Sequence, residues 1–365
     1  MKKKIALLLS LTLVLTMATA CGKKNTNEGT QKQEETTQED ATQEDATQED
    51  ATQEEAAQGG AKTGLAVITS IGSSADATAD AEGLAQVDST IVAVLVGEDG
   101  KILDCAIDAA QTKINFSAEG KITTDLATEF KSKQELGTDY GMAGASSIGK
   151  EWSEQANAFA DYVVGKTLEE VKGIALTEGV PSDADLTSSV TVHVSDFISG
   201  IEKAINNAKD LGANADDKLG LGVATNIAKS TDAGEEDGVA QAYTNYSVVT
   251  TDKDGKITSS IIDASQSDVK FSATGAITSD LAVAPHTKQE LGANYGMATA
   301  SSIGKEWFEQ ADALAQYVVG KTIDEVKGIA VTEEGVPSDA DLASSVTIHI
   351  GDYTTVIDKA VANAK

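Results

Sequence analysis

The chain has 365 residues, with 28 basic against 58 acidic side chains and a formal charge of −30. Every basic residue is a lysine. This balance excludes a nucleic-acid binder, which needs a basic footprint, and the lack of arginine excludes bidentate guanidinium clamps on phosphate or carboxylate.

Met1-Lys2-Lys3-Lys4 opens the chain, followed by an apolar run from Ile5 to Met17 and then Ala18-Thr19-Ala20-Cys21. A basic start, a short apolar core and small residues predict a signal peptide over residues 1–20. The run falls short of the ~20 apolar residues that span a bilayer. Small residues directly before Cys21 resemble a bacterial lipobox, which implies cleavage there and a lipid on the Cys21 sulfur. The alternative is an ordinary secretory signal with an incidental cysteine.

Residues 21–63 carry the pentapeptide Ala-Thr-Gln-Glu-Asp in repeats, with eleven acids, four lysines and few large apolar side chains. Such a segment cannot offset its ordering entropy and is expected to be a disordered acidic tether. It would reach at most ~140 Å extended, or ~35 Å r.m.s. if fully flexible.

The rest is a tandem duplication. Lys133 to Trp152 matches Lys288 to Trp307 at 17 of 20 positions, offset by 155 and later by 156 after an extra Glu near Glu334. A period this long predicts two domains rather than a solenoid, over residues 64–210 and 222–365, joined by a Gly/Ala/Asn/Asp-rich linker at 211–221.

Each copy reads as strands followed by helices. Thr90 to Val96 is β-branched and apolar, Asp99-Gly100 signals a hairpin, and Ile102 to Ile107 follows. Lys113 to Ser117 alternates again. Ile148, Trp152, Ala156, Phe159, Ala160 and Val163 share one helical face. Thr167 with Glu170 forms a capping-box pattern, and Ser195-Asp196 precedes an amphipathic run through Phe197, Ile201 and Ile205. The expected class is therefore α+β, each copy a mainly antiparallel sheet packed with helices.

Candidate chemistry is sparse. Cys105 has Ser260 as its counterpart and is read as a half-buried strand residue; one cysteine makes neither a redox pair nor a zinc site. Trp152 and Trp307 read as core, with stacking on a ligand as the rival. Tyr140-Gly141-Met142 and Tyr295-Gly296-Met297 are either helix-entry turns or the lining of a flat ligand. His193 and His349 sit in alternating segments, Val-Thr-Val-His-Val and Val-Thr-Ile-His-Ile, that read as surface strands. Asp185, Ser188, Ser189 and Thr191 recur as Asp341, Ser344, Ser345 and Thr347. By composition alone such a cluster before a helix is a turn or cap.

Asp185-Leu186-Thr187-Ser188-Ser189-Val190-Thr191 also resembles the Asp-x-x-Ser-Gly-Ala-Thr signature of domains that carry covalent FMN, among them the C subunit of sodium-translocating NADH:quinone reductase. The whole chain, with its lipobox, tether and two domains bearing KQELGxxYGM and ASSIGKEW, resembles the PplA-type lipoproteins of Gram-positive bacteria. The resemblance implies two FMN groups joined by a flavin transferase as phosphoesters to Thr191 and Thr347, with Asp185, Ser188, Asp341 and Ser344 as motif positions. Ser189 and Ser345 replace the signature's Gly, and Val190 and Val346 its Ala; Gly permits backbone shapes that Ser resists.

The resemblance further implies a redox carrier rather than a stand-alone enzyme. It would be lipid-anchored on the extracytoplasmic face and reach into the cell wall. Electrons would pass from a membrane quinone or NADH-dehydrogenase chain to extracellular acceptors such as ferric iron. The rival is a surface lipoprotein that binds or scaffolds without flavin. In either case the signal peptide is a possible precursor of a secreted peptide pheromone.

Overall fold

The computed structural model describes residues 60–365. The expected signal peptide, Cys21 and all but the end of the expected tether lie outside the described residues. Each repeat builds a three-stranded antiparallel meander followed by helices. In repeat 1 these are β1 (Ala61–Ser70), β2 (Gly83–Gly97), β3 (Ile102–Phe116), α1 (Lys133–Leu136), α2 (Trp152–Val163), α3 (Leu168–Lys172), the short pair β4 (Leu176–Thr177) and β5 (Val180–Pro181), α4 (Ala184–Thr187) and α5 (Ser195–Asn207). Repeat 2 gives β6 (Lys218–Asn226), β7 (Gly238–Thr251), β8 (Ile257–Phe271), α6 (Lys288–Leu291), α7 (Trp307–Val318), α8 (Ile323–Lys327), α9 (Ala340–Ala343) and α10 (Gly351–Asn363). The protein is thus α+β, with two antiparallel sheets and helices packed on each.

The apolar run of β2 is buried on both faces, and alternation sorts it. Val92, Val94 and Val96 point to a core shared with α2 and α5. Ile91, Ala93 and Leu95 point the other way, against Leu219, Leu221, Val223 and Tyr246 of the second sheet. The two sheets therefore face each other, and the helices lie outside. Phe116 stacks on its own counterpart Phe271 with ring centroids 4.2 Å apart. Contacts recur in exchanged pairs, as across a two-fold axis. Ile122 N–H donates to Asp232 Oδ1 at 2.8 Å and Ile277 N–H to Asp76 Oδ1 at 2.7 Å. Lys203 pairs with Glu290, and Lys359 with Glu135.

Two boundaries differ from the sequence reading. β1 starts at Ala61, within the stretch assigned to the tether, and Thr63 is fully buried with its hydroxyl 2.7 Å from that of Ser259. β6 starts at Lys218, inside the linker. Leu219-Gly220-Leu221-Gly222-Val223 looks loose because every second residue is bare. That bareness lets α10 close in: a Cβ on Gly220 would lie 1.9 Å from the Ala360 carbonyl oxygen, and one on Gly222 2.0 Å from that of Val356.

β3 also runs unbroken through the gap left between Ile107 and Lys113. Asp108, which looks like a break, is buried: its carboxylate accepts the backbone N–H of Ala109 at 2.7 Å and of Gln134 at 3.0 Å, clipping α1 to the strand. Asp263 does the same for Gln289 and α6. The hairpin at Asp99-Gly100 is present, with Gly100 at φ 77°. Cys105 on β3 is buried rather than half-buried, and burial pushes its thiol pKa well up, leaving an inert side chain.

Candidate functional site

The repeated hydroxyl segment begins as a cap. Asp183 is the N-cap of α4, accepting the N–H of Asp185 at 3.1 Å, and Asp339 serves α9 likewise. Asp185 and Asp341 are exposed in the first turns that follow, and Ser188 and Ser344 are the exposed C-caps. The sequence then leaves the helix and lies across α2 or α7. Val190 to Val194 is not a strand, nor is Val346 to Ile350. Their alternation arises because Val190 and Val194 anchor the crossing in the core while His193 between them is exposed.

Between these anchors, Thr191 meets Gln155 of α2. Its N–H donates to Gln155 Oε1 at 2.8 Å, and its hydroxyl donates to the same oxygen at 3.1 Å. Gln155 Nε2 in turn donates to Ser146 Oγ and the Lys150 carbonyl, both at 3.1 Å. Thr347 and Gln310 repeat the arrangement at 2.8 and 3.1 Å, with Ser301 and Lys305 beyond. Both glutamines are completely buried, whereas both threonines keep part of their surface. The sequence reading missed these glutamines. Their signal was a polar residue on the apolar stripe of the helix, at the same place in both copies.

The loop before α2 is closed by Glu151, which accepts the N–H of Met142 at 2.8 Å and of Ala143 at 3.1 Å. Glu306 accepts from Met297 at 2.7 Å. Tyr140 and Met142, like Tyr295 and Met297, are half-buried against the helix–sheet core. The Tyr-Gly-Met step is therefore a packed turn, with Gly141 at φ 76° and Gly296 at φ 77°. Lys133 lies over Tyr140 at 4.7 Å and over Trp152 at 5.3 Å. Thus KQEL supplies a cation to the aromatic cluster, a clip to β3 and, through Glu135, an ion pair to the other repeat.

Trp152 is core on one side and borders a mainly polar cavity of about 220 Å³ on the other, with Lys133, His193, Phe197, Gln111 and the two acids Asp88 and Asp196 around it. In repeat 2 the counterparts of Asp88 and Phe197 are Tyr243 and Tyr353. The Tyr243 hydroxyl accepts from Lys288 Nζ at 2.8 Å, and the Tyr353 hydroxyl accepts from Trp307 Nε1 at 2.9 Å. Burial pulls the Lys288 ammonium down to a pKa of about 8 and drives the Tyr243 phenol well up.

No family model matches the chain, and no solved structure matches it. Among curated proteins, a chlorophenol reductase of Desulfitobacterium hafniense is 31% identical over 94 residues, which is 23% of this chain. The chain spans 29% of that protein's length.

Proposed function

We propose that the protein is an extracytoplasmic flavoprotein electron carrier, anchored by lipid on Cys21, with FMN esterified to Thr191 and Thr347. The observation that carries this reading is the paired Thr–Gln arrangement. Two threonines at matching positions, each half-buried, are held on buried glutamines through their N–H and hydroxyl groups. The partial likeness to a reductase is not a premise of it.

The residues fit the group. Esterification removes the threonine O–H, but Gln155 Oε1 keeps the Thr191 N–H, so the buried amide stays paired. Ser189 and Ser345 need none of the freedom of the signature's Gly, because neither has a positive φ. Val190 and Val346, in the Ala positions, fill the core. A covalent link also holds the phosphate without the arginine cradle that this chain lacks.

Attachment needs an activated flavin phosphate, a phosphoanhydride of FMN. The Thr191 Oγ–P bond forms and the anhydride P–O bond breaks. The released phosphate takes the electron pair, and the threonine proton goes to the transferase or solvent. Once attached, FMN supplies reversible two-electron chemistry, so oxidation of a quinol-class donor balances reduction of two ferric ions. The protein confines that chemistry at a high local concentration beside the membrane. Its acidic surface keeps it apart from neighbouring polyanions.

The test is peptide mass mapping after co-production with an active flavin transferase. Adducts of one FMN phosphoester each on the peptides holding Thr191 and Thr347 are expected, and none in the double Thr→Ala variant. An unmodified chain, beside a control substrate that is modified, would leave the cluster as a cap and favour the non-flavin lipoprotein.

A further inference from the structure

Each repeat offers a phosphoryl donor more than one hydroxyl. Thr187, Ser188, Ser189 and Thr191 lie together in repeat 1, and Ser344, Ser345 and Thr347 in repeat 2. Exposure alone would favour the serines, since Ser188 and Ser344 are exposed while Thr191 and Thr347 are half-buried. The exposed hydroxyls are loosely placed, however. They stand at the ends of single-turn helices, and two of them bond back to their own turn: Thr187 to the Ala184 carbonyl at 3.3 Å and Ser344 to that of Asp341 at 2.9 Å. A helix of one turn has little stability of its own.

The threonines are held from three sides. Val190 and Val194 are completely buried on either side of Thr191, and Val346 and Ile350 nearly so around Thr347. The third hold is the glutamine, whose orientation is forced. The Lys150 carbonyl only accepts and the Thr191 N–H only donates, so Nε2 faces the first and Oε1 the second. Lys305 and Thr347 fix Gln310 in the same way. Oε1 also takes the threonine hydroxyl proton, which turns the Oγ lone pairs away from the buried amide.

We infer that Gln155 and Gln310 select which hydroxyl receives the flavin phosphate, as positioning residues of the acceptor chain. This rests on attachment at the two threonines and names what decides it in each repeat. In-line displacement at phosphorus needs a nucleophile fixed in place more than one that is merely exposed. A lone pair of Thr191 Oγ forms the new bond to phosphorus. The anhydride P–O bond breaks with its electron pair on the leaving phosphate, and the hydroxyl proton leaves Gln155 Oε1 for the transferase or solvent. The Thr191 N–H stays on Gln155, so the chain keeps its place while the bond is made.

The experiment uses the full chain as Thr347→Ala, so that only repeat 1 is read, with purified transferase and a phosphoanhydride of FMN. Rates are followed against chain concentration, and the adduct is mapped by peptide mass. Adding Gln155→Leu is expected to lower kcat at Thr191 by roughly a hundredfold with KM unchanged, because docking survives and only placement is lost. The slow loading that remains spreads to Ser188 and Ser189. With Gln155 in place, Thr191→Ser is expected to load at position 191 and not at 188 or 189. A general loss of structure would not divide kcat from KM in this way. The mirror chain, Gln310→Leu with Thr191→Ala, repeats the test and decides it if the first does not fold.

Loading at Thr191 with the parent kcat, in a Gln155→Leu chain of unchanged circular dichroism, would overturn the inference while leaving attachment intact. If neither threonine gains mass in the parent chains, the attachment reading itself fails and this inference falls with it.

Discussion

Gln155 and Gln310 have no exposed surface, and each spends its two amide protons and two lone pairs on four hydrogen bonds. They join three pieces of chain: the loop before the helix, the helix itself and the crossing that carries the threonine. Gln155→Leu keeps the bulk but strands the Thr191 N–H and the Lys150 carbonyl, at about 1–3 kcal/mol for each buried group left without a partner. The expected result is a lower urea midpoint and loss of flavin at Thr191 with Thr347 still loaded. Full loading of both threonines at an unchanged midpoint would show that the glutamine does not position the site. The threonines were legible in the sequence through a short signature. Gln155 was not, because its role depends on which loop the fold lays across α2.

At the scale of elements, α1 and α6 are too short to hold themselves and are clipped to the sheets by buried carboxylates. Desolvation raises Asp108 to a pKa of about 6 and Asp263 to about 7, against 3.8 when exposed, although backbone and hydroxyl donors oppose the rise. The folded chain therefore keeps protons that the unfolded chain releases. Stability from these two groups is full below about pH 4, declines as pH rises to about 7, and is flat above; the change is on the order of a few kcal/mol. Urea unfolding between pH 4 and 7 checks this. The Asp108→Asn, Asp263→Asn chain is expected to lose most of the slope, since Asn mimics the neutral acid. Elements whose pattern is periodic, such as α2 and β2, could be read from sequence. β3 was split in the reading, which left residues 108–112 unassigned; the fold supplies the partner, Gln134, that lets Asp108 sit buried in mid-strand. The stretch from Val190 to Val194 was read as a strand because anchors spaced along a loop imitate alternation.

For the whole molecule, the duplication was plain in the sequence but the contact between copies was not. Ile91, Ala93 and Leu95 are apolar enough for any core, and only the fold shows that this core is half built from Leu219, Leu221 and Tyr246. The two copies form one body, with a threonine held on a buried glutamine in each half. That arrangement suits the proposed carrier, with one redox group on each half. The most direct measurement is an anaerobic cycle with the flavinylated full chain. A quinol-class donor is added and the flavin absorbance followed, then ferric iron is added. The account predicts bleaching, then recovery with about two ferrous ions formed per flavin, and neither change in the Thr191→Ala, Thr347→Ala chain. A loaded chain that the quinol cannot reduce, or that ferric iron cannot reoxidise, would contradict it.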